Sequence, residues 1–158
     1  MGPVTQGGTL SLSSPAFDDG ESIPRQYGKN AANVNPPLRI GGVPDAAASL
    51  ALVVDDPDAV DPAGEVWTHW LVWNVDPGRG AIPEGWSPST ALQGTNDFGN
   101  VGYDGPAPPE ETHTYRFKLF ALDTTLGLER GAKTAALDDA MASHVSAATQ
   151  LTGTYAPV

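Results

Sequence analysis

Three apolar stretches define the predicted core of the chain. Leu50–Val54 is a short apolar run with β-branched residues, followed by the turn-forming sequence Asp-Asp-Pro-Asp. Trp67–Val75 is mostly apolar on both of its alternating faces, which predicts a central strand covered on both sides. In His113–Leu122, apolar residues occupy every second position after His113 and Tyr115. These stretches predict the strands of one β-rich core.

The polar residues at the ends of these strands suggest a binding site. Strict alternation along a strand predicts that His69 shares a face with Leu71 and Trp73. His113 and Tyr115 are likewise the polar residues at the start of an otherwise apolar strand face. If both strands lie in one sheet, two histidines and a tyrosine converge at one end of the core, beside the acidic turn. A single histidine or tyrosine at a strand end is commonly a structural residue, but the same pattern on two strands favours a site.

Weaker patterns predict the periphery. Leu10–Ser13 fits an edge strand, Leu38–Ile40 a short strand, and Tyr155 the completion of a terminal edge strand. Thr134–Leu151 is predicted as the one convincing helix, capped by its first residue, with acidic residues in its first turns. Its apolar stripe consists of Leu137, Met141, Val145 and Ala148. His144 lies next to that stripe, and we interpret it as structural.

A long connection, Gly78–Pro109, is rich in glycine and proline and is predicted to be almost entirely loop. Loops of this length in compact domains are usually functional. In its later part, GTNDFGNVGYDGPAPP, closely spaced glycines permit positive φ, so successive backbone N–H groups could form a nest for an anion. One X-Pro bond here could be cis. A glycine- and proline-rich loop without any ligand is the alternative.

Length and residue types narrow the class of protein. The chain of 158 residues fits one compact domain, with residues 1–8 as a loose lead-in. It contains no apolar run of membrane-spanning length, and its N-terminus does not resemble a signal peptide, so we expect a cytoplasmic protein. With no cysteine, thiol chemistry is excluded and a zinc site could use only histidine and carboxylates. No cofactor is expected.

The strongest compositional signal is acidity. Nineteen Asp and Glu residues against eight Lys and Arg give a net charge of −11. Phosphate backbones and anionic membranes would be repelled, so we expect neither nucleic-acid binding nor stable membrane association. The acidic residues are spread between regular apolar stretches, which argues against disorder. A solvated acidic shell of this kind is typical of a protein that stays soluble in concentrated salt, and we interpret the chain as that of a halophile.

Two motifs resemble those of the phosphatidylethanolamine-binding proteins, also called Raf kinase inhibitor-like proteins, in their compact prokaryotic form. The first is an Asp-Pro-Asp turn followed by a Trp-x-His strand, here Asp56–Asp58 and Trp67–His69. The second is a GY-x-GP-x-PP loop that runs into His-x-Tyr, here Gly102–Pro109 and His113–Tyr115. The resemblance extends over nearly the whole chain, from about Ser14 to Tyr155.

The resemblance implies an antiparallel β-sandwich of Greek-key type with a few peripheral helices, one of them near the C-terminus. It also implies a small anion pocket at one end, for phosphate, acetate or a phospho-headgroup. Carried over by motif, the ligand-binding residues are Asp56, Trp67, His69, Gly105 as a backbone donor, Pro106, His113 and Tyr115. Asp58 is expected to be a turn residue.

Two residues depart from the family pattern. Val60 stands where the family usually has a proline, so a rigid bend beside the Asp-Pro-Asp turn could be missing. Ala107 replaces a common cysteine of the second motif, which removes no chemistry that the pocket needs.

Three functions remain open from the sequence. The first is a non-enzymatic binding protein for a small anionic or phosphorylated ligand, which could also regulate a partner protein, with a homodimer plausible by resemblance. The second is a hydrolase that uses Asp56, His69 and His113 as metal ligands or as acid and base. The chain has no G-x-S-x-G, H-E-x-x-H or Walker sequence to support it. The third is an interaction protein with a vestigial pocket.

Overall fold

A computed structural model describes residues 9–59 and 66–157 of the protein. The expected lead-in over residues 1–8 and the departure at Val60 lie outside the described residues. Within the described part, two antiparallel sheets are formed. The strands are β1 (Ser11–Ser13), β2 (Leu38–Gly41), β3 (Ser49–Asp56), β4 (Trp67–Val75), β5 (Ala81–Ile82), β6 (Leu92–Gln93), β7 (His113–Leu122) and β8 (Val145–Tyr155).

The two sheets differ in size. The smaller sheet has the order β1-β2-β5, and the larger one has the order β6-β4-β3-β7-β8. In residues 9–59 and 66–157, one α-helix, α1 (Thr134–Met141), precedes β8, and short 3-10 turns occupy Arg25–Tyr27 and Pro57–Ala59. The mainly β architecture with a helix near the C-terminus confirms the predicted fold class. No helix in the described part of the chain is both long and apolar enough to cross a membrane.

The core has two apolar layers, one on each face of the larger sheet. On one face, side chains such as Leu52 and Trp70 pack with Leu38 and Ile40 of the smaller sheet. On the other face, Leu71, Trp73 and neighbours pack with residues of α1, namely Leu137 and Met141. All eight residues of β3 are buried, and β4 is buried on both faces, as its apolar pattern predicts. Strands β3, β4 and β7 therefore form a rigid base for side chains at their ends.

A β-bulge in β4 changes the face on which His69 lies. Val54 pairs with Trp70, but the next residue of β3, Asp55, pairs with Thr68, so His69 is an extra residue in the ladder. His69 therefore lies on the same side of the sheet as Trp70. The prediction that it shares a face with Leu71 was wrong, because side chains alternate strictly between the two faces only where neither strand contains an extra residue.

The predicted helix Thr134–Leu151 is correct only in its first half. α1 ends at Met141, and Ser143 adopts a left-handed conformation with φ of 69°. The residues from Val145 onwards form the 11-residue strand β8, which pairs with β7 along its length. Local apolar spacing over these residues fits a helix, but pairing with the whole of β7 gives them tertiary contacts that outweigh the local preference.

The long connection Gly78–Pro109 is less irregular than predicted. It contains β5 and β6, and an isolated bridge joins Thr95 to Val101. No peptide bond in residues 9–59 and 66–157 is cis, so the expected cis proline is absent from them.

Candidate functional site

A cavity of about 180 Å³ lies at the end of the larger sheet where β3, β4 and β7 carry polar residues. Side chains from these three strands, from the 3-10 turn after β3 and from the loop before β7 surround it. The lining residues are Asp56, Ala59, Trp67, His69, Phe98, Ala107, Pro108, Pro109, His113 and Tyr115. Five of the predicted site residues thus meet at one place, namely Asp56, Trp67, His69, His113 and Tyr115.

Asp56 and His113 form a buried pair on neighbouring strands. Asp56 is the last residue of β3, His113 is the first of β7, and Oδ2 of the carboxylate lies 2.5 Å from Nδ1 of the imidazole. The other carboxylate oxygen accepts the N–H of Asp58 at 2.9 Å, which closes the turn after β3. Since a carboxylate only accepts, Nδ1 of His113 carries the proton and Nε2 is left for a ligand.

Asp58 is a turn residue, as predicted, and it also joins two elements of the site. Its Oδ2 accepts the backbone N–H of Thr114 at 2.8 Å. This bond ties the turn after β3 to the start of β7, and so fixes the distance between Asp56 and His113.

His69 is almost completely buried in the cavity wall, with 2% of its surface exposed. Its Nδ1 lies 2.7 Å from the backbone carbonyl oxygen of Asp104, so Nδ1 donates. Burial lowers the pKa of His69 and outweighs the nearby groups that favour the charged ring, first among them the Asp104 carbonyl. The ring is therefore neutral at neutral pH, with an unprotonated Nε2.

The carbonyl that orients His69 is itself held by a network around the Asp104 side chain. Three amide groups donate to this carboxylate: Asn33 at 2.9 Å, Asn96 at 2.9 Å and Asn100 at 2.8 Å. Burial alone would raise the pKa of Asp104, but the three amide donors hold it below its ordinary value. We call Asp104 and these three asparagines the Asp104 network.

Two buried polar atoms in the cavity wall have no hydrogen-bond partner among the described residues. They are the indole Nε1 of Trp67 and the hydroxyl of Tyr115. Burial, together with the nearby Asp56 carboxylate, raises the pKa of Tyr115 well above its ordinary value, so the hydroxyl keeps its proton. An indole N–H can only donate. Neither donor makes a well-formed hydrogen bond within the described part of the chain, although the Tyr115 hydroxyl lies near the Asp56 carboxylate and buried donors are normally paired.

Aromatic and proline residues form the rest of the wall. The ring of Phe98 packs edge-on against Trp67 and His69, with centroid separations of 5.5 and 5.4 Å. His69 in turn packs edge-on against Tyr115 at 5.3 Å. These contacts limit ring motion and exclude water from the imidazole, which contributes to its lowered pKa.

The structure places Gly105 and Pro106 outside the cavity wall. The N–H of Gly105 donates to Oδ1 of Asn33 at 2.7 Å, so it is already used within the protein. A Cβ at Gly105 would lie 1.9 Å from the Tyr27 carbonyl oxygen, so glycine here permits two backbone segments to approach closely. The carbonyl of Pro106 accepts the N–H of Lys29 at 3.0 Å. Both residues position the loop rather than meet the cavity.

The predicted anion nest in this loop is also occupied by the chain itself. Gly99 and Gly102 do have positive φ, at 89° and 118°. The side-chain oxygen of Asn96 accepts the N–H groups of Phe98 and Asn100, and the Gly102 N–H donates to the Gly94 carbonyl. These amides therefore stabilise the loop and are not free for an anion.

Sequence reasoning missed the Asp104 network and part of the cavity wall. The missed wall residues are Ala59, Phe98, Ala107, Pro108 and Pro109. The repeated asparagines around Asn96 and Asn100 were a signal for the network, since Asn side chains commonly cap loop amides. The partner Asn33 is 71 residues away from Asp104, and nothing local in the sequence connects them.

The hydrolase alternative is not favoured by this geometry. Within residues 9–59 and 66–157, no three His, Asp or Glu side chains are grouped so as to hold a metal ion. No serine, threonine or cysteine is among the residues that line the cavity. The remaining histidine, His144, lies outside the cavity and pairs with Asp123 at 2.8 Å.

Known proteins resemble this chain over most of its length. A UPF0098 protein of Methanothermobacter thermautotrophicus is 43% identical over 151 residues, covering 92% of this chain and 98% of that protein. A Mycobacterium tuberculosis protein named "Putative lipoprotein LppC" is 41% identical over 155 residues, covering 97% of this chain and 75% of that protein.

Solved structures share the fold. A phosphatidylethanolamine-binding protein homologue from Chlamydia trachomatis superposes with a TM-score of 0.90 at 37% identity, covering 96% of this chain and 100% of that one. YbcL of Escherichia coli, described as a member of the mammalian family of such proteins, superposes with a TM-score of 0.87 at 29% identity, covering 94% and 99%.

The sequence profile of one family agrees with these similarities and with the two motifs that surround the cavity. It is the family described as "Phosphatidylethanolamine-binding protein", and its profile matches residues 13–156. The chain belongs to the phosphatidylethanolamine-binding protein family.

Proposed function

We propose that the protein is a non-enzymatic binding protein whose cavity holds a small anionic ligand, such as phosphate, a carboxylate or a phospho-headgroup. The observation that carries this proposal is the pair of unused donors, the Trp67 indole and the Tyr115 hydroxyl, on side chains that line the cavity. A ligand rich in acceptor oxygens would satisfy both.

The Asp56–His113 pair supports the same ligand class. Both oxygens of the carboxylate are already hydrogen-bonded, one to His113 and the other to the N–H of Asp58, so Nε2 of His113 is the polar atom that the pair leaves for a ligand. The pair resembles a binding arrangement more than a catalytic one, because the described lining of the cavity has no serine, threonine or cysteine that the histidine could activate.

A regulatory role on a partner protein is the natural extension of this proposal. The family of this chain includes proteins called Raf kinase inhibitor-like. A ligand bound in a cavity at the end of a sheet would change the surface that a partner protein contacts. The homodimer, the halophilic origin and the cytoplasmic location remain predictions.

The proposal is tested by an NMR titration of the ¹⁵N-labelled protein with phosphate, acetate and phosphoethanolamine. We expect saturable shifts at His69, His113 and the loop residues up to Pro109. The variant His113→Ala should lose them. A matched control is His144→Ala, because His144 also pairs with an aspartate but lies far from the cavity.

Two results would contradict the proposal. The first is the absence of any shift at millimolar ligand in the wild-type protein. The second is an equal response of the two histidine variants, which would place the anion outside the cavity.

A further inference from the structure

The hydrogen-bonding groups of the cavity are not all donors, and one of its acceptors, Nε2 of His69, defines the ligand more closely. Nδ1 of His69 is committed to the Asp104 carbonyl, which can only accept. In the neutral ring, Nε2 is therefore an acceptor. No hydrogen bond to Nε2 is formed within the described part of the chain, and His69 lines the cavity. A ligand that fills the cavity must therefore bring a proton to this atom or leave it unpaired.

The described lining of the cavity contains no lysine or arginine. The protein as a whole carries a net charge of −11. A doubly charged anion would meet this field without a cationic side chain in the described lining, and one of its oxygens would lie against the lone pair of Nε2. A singly charged, singly protonated anion avoids both costs.

We propose that the cavity selects acids that retain one proton, with a monohydrogen phosphoester as the preferred class, and that Nε2 of His69 accepts that proton in a hydrogen bond. This inference rests on the proposed anion-binding function and deepens it. The other oxygens of such a ligand accept from Trp67 and Tyr115. His69 is thus the residue that distinguishes a protonated ligand from an unprotonated one of the same shape.

The Asp104 network keeps His69 in this role. Asp104 holds the carbonyl that fixes the tautomer, and three asparagine side chains hold Asp104. A ring fixed on Nδ1 cannot rotate to offer a donor in place of the acceptor without losing that bond. The titratable and charged groups around the ring are Asp56, His113 and Tyr115 on β3 and β7, Asp104 in the loop, and Lys29, whose ammonium lies 4.9 Å from the centroid of the Phe98 ring.

Methyl phosphate and methyl sulfate are a matched pair of probes for this proposal. Below its second pKa of about 6, methyl phosphate is a monoanion with one P–OH group. Methyl sulfate is a monoanion of the same shape without that proton. Isothermal titration calorimetry should show methyl phosphate binding at least about tenfold more tightly at pH 6, because only it can donate to Nε2.

The pH dependence of binding distinguishes protonation of the ligand from protonation of the protein. About half of the methyl phosphate is protonated at pH 6 and about one hundredth at pH 8, so its affinity should fall about fiftyfold over that range. Methyl sulfate does not titrate there, so any change in its affinity comes from the protein and serves as the correction.

Two variants assign the effect to His69. In His69→Gln the amide can present N–H₂ to either ligand, so the preference for methyl phosphate should decrease or disappear. Tyr115→Phe removes a donor that both ligands use, so it should weaken both by a similar factor and leave the preference unchanged. The ¹⁵N shifts of the His69 ring in the wild-type protein report directly whether Nε2 is unprotonated.

The outcomes distinguish this inference from the function on which it rests. If both probes bind equally at pH 6, or if Nε2 carries a proton in the complex, the inference is wrong while the anion-binding function stands. If neither probe binds and phosphate also fails to shift the cavity residues, both are wrong. A wild-type preference that survives in His69→Gln would assign the selectivity to another group and overturn the role of His69.

Discussion

Asp104 orients a residue of the cavity wall, although it does not line the cavity itself. Its carboxylate accepts three amide donors, and its carbonyl accepts the proton of His69. The variant Asp104→Asn would place an N–H₂ group among those amide donors. We expect the free energy of unfolding to fall by about 2 kcal/mol, because hydrogen bonds to a charged group are lost. Urea denaturation measures this change.

The control for that prediction is Asp45→Asn, an exposed aspartate, for which the change should stay within about 0.5 kcal/mol. The difference between wild type and Asp104→Asn should also depend on pH. Since the pKa of Asp104 is lowered on folding, its stabilisation is full above the ordinary value of 3.8 and is lost as the pH falls below it. A difference that persists unchanged in acid would contradict the role given to this carboxylate.

The residue types of the site were more predictable than their surroundings. Histidine, tyrosine and aspartate at strand ends stand out in a mostly apolar sequence, and the structure brings Asp56, His69, His113 and Tyr115 together. Gly105 was expected to donate to a ligand, but its N–H is used by Asn33. A backbone N–H can donate to any acceptor that the fold brings near it. Contacts between segments that are distant in the sequence cannot be inferred from local sequence, so this use of the Gly105 N–H could not be predicted.

At the level of secondary structure, predictions succeeded where the pattern was regular and failed where the chain departed from regularity. β7 alternates buried and partly buried residues over almost its full length, as its sequence indicates. The bulge at His69 has no local signal, since it depends on how β3 and β4 align. The second half of the predicted helix is strand β8, because tertiary pairing with β7 outweighs local preference.

β8 permits a test of this correction with two adjacent proline substitutions. The backbone groups of Thr152 and Thr154 form hydrogen bonds with the segment Gly20–Ile23. In β8 the backbone N–H and C=O groups of even-numbered residues therefore point away from β7, and those of odd-numbered residues point towards it. Thr149→Pro should remove a bond to β7 and lower the free energy of unfolding by about 3 kcal/mol. Ala148→Pro, on the outer edge, should cost about 1 kcal/mol or less. A helix over these residues would make the two substitutions equally harmful, as thermal denaturation would show.

At the level of the whole molecule, the net charge of −11 should make stability depend on salt. Raising KCl from about 0.1 M to about 1 M shortens the screening length from about 10 Å to about 3 Å. We expect the Tm to rise over this range, because repulsion between acidic residues destabilises the folded state. Differential scanning calorimetry provides the measurement.

A charge-reduced variant separates screening from the general effect of salt on apolar burial. Asp45→Lys combined with Glu129→Lys changes two exposed residues and brings the net charge from −11 to −7, since each substitution adds two charges. Its Tm should rise less with KCl than that of the wild type. Equal increases in Tm for the two proteins would indicate that repulsion between acidic residues does not cause the salt dependence.

The division between the cavity wall and the Asp104 network has a consequence for protein engineering. Ala59 and Ala107 line the cavity with apolar side chains and take no part in the hydrogen bonds or ring contacts that orient His69. A library that varies these two positions should change the size and shape of accepted ligands while the groups that recognise the acid stay in place. In such a library Asp104 and its asparagines belong to the fixed scaffold, even though none of them lines the cavity.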